Sequence, residues 1–187
     1  VDTLHFFPLN TNTNNNKFIF LMIARLQKPK GIYEYLESAK SLKSKIGDKV
    51  EFQVLGGIDS HNPDALSLDE ILEFHNQGII NYLGETDNVK DYIDNSDCVV
   101  LPSYREGLST TLVEAASMKK PLIASDVPGC NDVVIDNYNG YLCKSKNHKD
   151  LESKMIQMFQ TSIEKRREFG SNGRKIVENK FDKRRLV

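Results

Sequence analysis

Apolar runs of strand length recur along this chain, and each leads into a segment with helical spacing. The first, Phe18-Ile19-Phe20-Leu21-Met22-Ile23, contains no polar residue. A strand with one wet face alternates apolar and polar side chains. An unbroken apolar run instead implies cover on both faces, as in a parallel sheet wrapped by helices. A helix follows, with Ile32, Leu36, Ala39, Leu42 and Ile46 three or four positions apart and Gly47 as its stop. The pattern then repeats. Strands are predicted at 50–55, 79–83, 98–101 and 122–124. Between them come helices over 68–76, up to Asn95 with Asp87 as its cap, and from 109 to about 118. Asn139-Gly140-Tyr141-Leu142 predicts a turn and a short last strand, and amphipathic helices follow from Asp150 and over 169–177. Alternation at least five times over predicts an α/β fold: a doubly wound parallel sheet of about six strands, helices on both faces and right-handed crossovers.

Five loops leave the carboxyl ends of these strands, at 25–31, 56–57, 84–89, 104–111 and 125–132. They converge on one edge of the sheet, where open α/β sheets bind ligands. Pro102-Ser103-Tyr104-Arg105-Glu106-Gly107-Leu108-Ser109-Thr110-Thr111 leads from a buried strand through a tight loop to residues with helix-start chemistry. The first amides of a helix have no internal partner and the helix dipole favours negative charge there, so the junction is a ready anion site. Arg25 and Lys30 flank the loop after the first strand. A planar fork and a compact cation together suit a diphosphate. Glu106 falls in the loop and Glu114 a turn or so inside the helix, so they need not share a proton. Each carboxylate is expected to accept hydrogen bonds from a different part of one polyhydroxylated ligand. Gly56-Gly57 reads equally as an ordinary turn or as a close approach of backbone to ligand.

These residues carry a resemblance. The Glu106 to Glu114 spacing, the surrounding Ser-Tyr-Arg-Glu-Gly-Leu, the later Ala-Ser-Asp-Val-Pro-Gly-Cys and the Arg25-Leu26…Lys30-Gly31 element are similar to family 4 retaining glycosyltransferases of the GT-B architecture, which have two Rossmann-like domains. The resemblance covers nearly the whole chain and implies the C-terminal, nucleotide-sugar-binding domain. By it, Arg25 and Lys30 stabilise charge on a departing diphosphate and Glu106 positions the donor sugar. The amides of Gly107, Leu108, Ser109 and Thr110 hold sugar and diphosphate, Glu114 binds the ribose, and the backbone near Gly84 and Thr86, with Val89 beneath, meets the base. Two positions depart from the pattern: Ala24 replaces the usual Gly, and Asp132 stands where Glu is common. The implied reaction transfers a hexosyl group from an NDP-sugar, UDP-linked by this resemblance, to a glycan or lipid-linked acceptor, with front-face attack and no protein nucleophile. No cofactor or metal is expected, since the chain shows no acidic metal cluster.

The same resemblance divides the chain into an interdomain linker (1–17), the donor-binding domain (18–180) and the start of a tail (181–187) toward an N-terminal acceptor domain of the same protein. Without that domain the fragment is expected to transfer little. Two other readings stay open: an NDP-sugar epimerase of the same architecture, whose further acid and base groups cannot be placed here, and a non-catalytic sugar-nucleotide-binding domain.

A net charge of −1 provides no basic field for nucleic acid, and no apolar run approaches the ~18 residues of a membrane span. The expected location is cytoplasmic, with peripheral attachment to the inner face of a membrane open for the full-length protein. Three cysteines, Cys98, Cys130 and Cys143, have neither metal spacing nor the even count of a disulfide framework, and Cys98 reads as a core residue. His61 and His75 lack ligand partners at helical spacing. The Asn/Thr-rich tract from Asn10 to Asn16 has too little apolar content to pack, and Lys183-Arg184-Arg185 reads as a solvated helix end rather than a membrane patch.

Overall fold

A computed structural model of the chain describes residues 1–9 and 16–185. Six strands, β1 (Phe18–Ile23), β2 (Val50–Leu55), β3 (Asn81–Tyr82), β4 (Cys98–Leu101), β5 (Leu122–Ser125) and β6 (Gly140–Cys143), form one sheet in the order β3-β2-β1-β4-β5-β6. Every pairing is parallel. The order reverses between β1 and β4, and that reversal opens a crevice at their carboxyl ends.

The side-chain period of two along each strand feeds two cores. Phe18, Phe20 and Met22 of β1 face a core shared with α1 (Ile32–Ile46), α2 (Leu68–Asn76) and α5 (His148–Gln160). Leu21, with Val99 and Leu101 of β4, faces the other core, beneath α3 (Val89–Asn95), α4 (Thr110–Ser117) and α6 (Ile163–Lys180). Burying a side chain such as Phe20 or Met22 completely stabilises the fold by about 1.5–3 kcal/mol. Tyr35 shows how a polar atom survives there: its hydroxyl donates to the carbonyls of Phe20 (3.1 Å) and Gln53 (3.0 Å), which ties α1 across β1 and β2. The doubly wound sheet expected from the sequence is the observed one.

Three local expectations are corrected. The third strand spans two residues rather than 79–83, because the Ile79 and Ile80 amides turn back to the Phe74 carbonyl instead of joining the ladder. Asp87 does not cap α3. The helix starts after Asn88, whose amide donates to Thr86 Oγ1 at 3.1 Å, while Asp87 is exposed. The last helix is twice the expected length: Ser162 caps it by accepting from the Lys165 amide, and its first turns are charged rather than apolar. Gly170 lies inside that helix, where a β-carbon would come 2.0 Å from the Lys119 carbonyl oxygen, so α6 passes close to the exit of α4.

Residues 1–9 contain no helix or strand, yet they are fastened to the domain. Arg174 of α6 donates to the carbonyls of Thr3, Phe6 and Ser117 and pairs with Glu178 at 2.6 Å. Ser117 Oγ also donates to the Phe6 carbonyl, and Thr3 Oγ1 donates to Asp182 at 2.7 Å. Lys183 and Arg184, exposed as expected, reach Asp2 and Thr3. The tract between Asn10 and Asn16 falls outside the described residues except for Asn16, as do residues 186 and 187.

Candidate active site

The loop after β1 and the loop after β4 meet across the crevice. Gly31 has φ +77°, and a β-carbon there would lie 2.0 Å from the Pro102 carbonyl oxygen, so only glycine lets the loops close this far. Tyr104 completes the contact by donating its amide to the Pro29 carbonyl at 2.8 Å.

This approach brings Lys30 Nζ within 2.7 Å of Glu106 Oε1, with side chains 25% and 11% exposed. A pair this far removed from solvent is held more firmly than a surface ion pair. Ser103 Oγ donates to the same oxygen at 2.7 Å. Both donors therefore sit on Oε1, and no hydrogen bond among the described residues engages Oε2. One carboxylate oxygen is anchored and the other remains to accept from a ligand.

Helix α4 begins where expected. Ser109 is its cap, accepting from the Leu112 amide at 3.2 Å, a type of bond worth about 1 kcal/mol. The next amides, of Thr110 and Thr111, have no acceptor among the described residues and open toward the crevice. A hollow of about 170 Å³ collects Arg25, Lys30, Glu106, Leu108, Ser109 and Thr110. All six are site residues expected from the sequence, on two separate loops, and the structure brings them into one place. Arg25 and Thr110 are exposed at its rim, as is neighbouring Gly107.

Glu114 lies one turn further along α4. It lines an adjoining apolar hollow of about 250 Å³ with Val113 and Phe181, and the two hollows share Leu108 and Thr110. Burial raises its carboxyl above the usual glutamate range. Gly84, Thr86 and Val89 line neither hollow. They follow β3, two strands away from β1; the Gly84 carbonyl accepts from the Gly56 amide at 2.7 Å, and Val89 packs on the second core. A larger hollow of about 770 Å³, an open groove between α1 and α5 lined by Lys40, Lys45, His148 and Glu152, contains no residue of this site.

Three residues support the site through bonds that the sequence reading did not foresee. Ser103 was quoted as part of the motif, but its bond to Glu106 was not foreseen. Asp132 accepts from the Gly129 amide at 3.0 Å, so it shapes the loop behind Glu106. Tyr104 Oη donates to Glu34 Oε1 at 2.7 Å, across 70 positions of sequence. Gly129, in the loop after β5, packs directly behind Glu106 and Gly107.

The fold and site define an α/β domain in which a half-buried basic–acidic pair stands before an open helix N-terminus. A model of the family described as Glycosyl transferases group 1 matches residues 7–176, and the chain belongs to that family. It is 40% identical over 141 residues, 75% of this chain and 35% of the relative, to the N,N'-diacetylbacillosaminyl-diphospho-undecaprenol alpha-1,3-N-acetylgalactosaminyltransferase of Campylobacter jejuni. It is 30% identical over 129 residues, 68% of this chain and 33% of the relative, to the UDP-Gal:alpha-D-GlcNAc-diphosphoundecaprenol alpha-1,3-galactosyltransferase of Escherichia coli. The chain thus spans about a third of the length of these relatives. Its fold matches the crystal structure of the C-terminal domain of a glycosyl transferase group 1 family protein, LpcC, from Francisella tularensis, with a TM-score of 0.83 and 23% identity over 98% of this chain and 99% of that one. No helix among the described residues is long and apolar enough to cross a membrane.

Proposed function

We propose that this domain is the donor half of a retaining glycosyltransferase that moves a hexosyl group from a UDP-sugar to a lipid-linked or glycan acceptor. The observation that carries the reading is the single hollow holding Lys30, Arg25 and the free Thr110 and Thr111 amides beside the unengaged oxygen of Glu106. Cations and amides suit a diphosphate, and a fixed carboxylate acceptor a few ångströms away suits sugar hydroxyls. The Escherichia coli relative, named for a UDP-Gal donor and a diphosphoundecaprenol acceptor, supports the choice of nucleotide and acceptor class.

In this reading Lys30, Arg25 and the helix amides stabilise negative charge as it gathers on the leaving diphosphate. They are preorganised, so the site does not reorganise during the reaction. Glu106 turns the sugar so that the acceptor hydroxyl attacks from the face the diphosphate leaves, which keeps the anomeric configuration. Glu114 accepts from the ribose hydroxyls in the adjoining hollow. An acceptor domain of the same protein closes over the crevice, excludes water and aligns the acceptor.

The test uses the full-length enzyme with radiolabelled UDP-sugars and undecaprenyl-diphosphate-linked acceptors. Lys30→Ala and Glu106→Ala are each expected to lower turnover by about 10²–10³ with little change in melting temperature. Near-normal rates in both variants would overturn the reading.

A further inference from the structure

We infer that Tyr104 and Glu34 form a positioning pair, whose hydrogen bond sets the angle at which Glu106 and Lys30 meet the donor. The inference rests on the donor-site reading above. Tyr104 lies two residues before Glu106, and Glu34 lies four after Lys30. Each therefore sits on the same loop or first helical turn as one member of the Lys30–Glu106 pair. The two segments are joined at three points in a row: the Tyr104 amide to the Pro29 carbonyl (2.8 Å), Lys30 Nζ to Glu106 Oε1 (2.7 Å) and Tyr104 Oη to Glu34 Oε1 (2.7 Å). Two side-chain bonds flank one backbone bond, which fixes rotation as well as separation.

Chemistry argues that the outer bond is kept for geometry rather than for stability. Glu34 Oε2 is buried and has no partner among the described residues, an arrangement that costs free energy in the folded state. An apolar residue at position 34 would remove that cost. Burial, together with the bond to Glu34, raises the Tyr104 hydroxyl far above its ordinary value, so it stays protonated and donates throughout the working range. Lys146 stands 5.0 Å over the Tyr104 ring and steadies its free face. Tyr104 lines neither hollow, so it acts on the donor only through Glu106 and Lys30.

The experiment compares Tyr104→Phe, Glu34→Gln and the double variant Tyr104→Phe/Glu34→Leu in the full-length enzyme. Readouts are kcat, KM for UDP-sugar, Kd for UDP alone and melting temperature, with Lys30→Ala as control. Tyr104→Phe is expected to lower kcat about ten- to a hundredfold, the scale set by an ångström-level misplacement. Kd for UDP is expected to weaken by less than kcat falls, since UDP lacks the sugar that Glu106 holds and keeps Arg25 and the helix amides for its diphosphate. Glu34→Gln, which still offers Tyr104 an acceptor, is expected to retain most of the turnover. The double variant should recover melting temperature but not kcat.

Recovery of both in the double variant would show a merely structural bond, and wild-type kcat in Tyr104→Phe would remove the positioning role. Either result overturns the inference alone, provided Lys30→Ala is impaired. If Lys30→Ala also turns over normally, the donor-site reading falls with it.

Discussion

Gly129 backs Glu106 so closely that a β-carbon on it would lie 2.6 Å from the Glu106 carbonyl oxygen and 2.5 Å from that of Gly107. Its φ of +84° is also one that L residues rarely adopt. Gly129→Ala is therefore strained twice and is expected to destabilise the domain by more than about 1 kcal/mol. Because the displaced backbone is the loop of Glu106, turnover should fall further than the melting temperature alone would explain. Thermal unfolding and steady-state assays on one preparation check both.

Ser103 is fully buried and donates to the anchored oxygen of Glu106. Ser103→Ala leaves that oxygen with Lys30 alone among the described residues and costs on the order of 1 kcal/mol. Turnover is expected to drop about tenfold, with UDP affinity nearly unchanged, as measured by calorimetry beside kinetics.

Glu114 titrates against the fold. Burial raises its carboxyl, so the native state holds the proton more tightly than the unfolded chain does. Stability then declines as pH climbs from the ordinary glutamate value of about 4.3 through the raised native one, and the deficit is complete above the latter. Glu114→Gln removes the deficit. It should melt higher than wild type at pH 7 and converge with it below about pH 4, while binding UDP-sugar more weakly. Melting curves across that range, with calorimetry at pH 7, test the two effects together.

Arg174 carries more of the fold than the surface ion pairs do. Arg174→Met strands the carbonyls of Thr3 and Ser117, leaves Phe6 only its bond from Ser117 Oγ, and is expected to cost about 2–3 kcal/mol in urea unfolding. Lys165→Ala, which breaks an exposed pair with Glu168, should stay within about 0.5 kcal/mol of wild type.

The three thiols should be inert while the chain is folded. Burial pushes Cys130 and Cys143 up to about 12 and raises Cys98 well above the usual range. Since the thiolate is the reactive form, a coloured disulfide reagent at pH 8 is expected to titrate none of them until denaturant is added. Prompt reaction of any one in the native state would contradict this.

The sheet was legible because β1 and β4 write their burial directly as apolar runs and β2 alternates apolar and polar residues. Edge strand β3 was overestimated, since Ile79 and Ile80 are apolar for packing on the core rather than for pairing. The Lys30–Glu106 hollow could be found because strand–loop–helix junctions announce their chemistry locally, in glycine, serine and charge. Gly84, Thr86 and Val89 were placed by resemblance, with no side-chain signal of their own, and they are the ones that stand apart from the hollow. What the sequence hid was every bond that spans distance along the chain. Tyr104 and Glu34 are unremarkable where they stand, and so are Arg174 and Thr3; only folding makes them neighbours.

The Arg174 fastening decides where this domain can be cut. By hydrophobicity alone a shortened version beginning at residue 16 keeps every strand and every helix. It would nonetheless discard the Thr3 and Phe6 carbonyls that accept from Arg174 and uncover the part of the second core on which Phe6 packs. Expression trials that trim the apparently featureless leader should yield less soluble protein than those that retain it, because the trimmed residues cover apolar surface of the core.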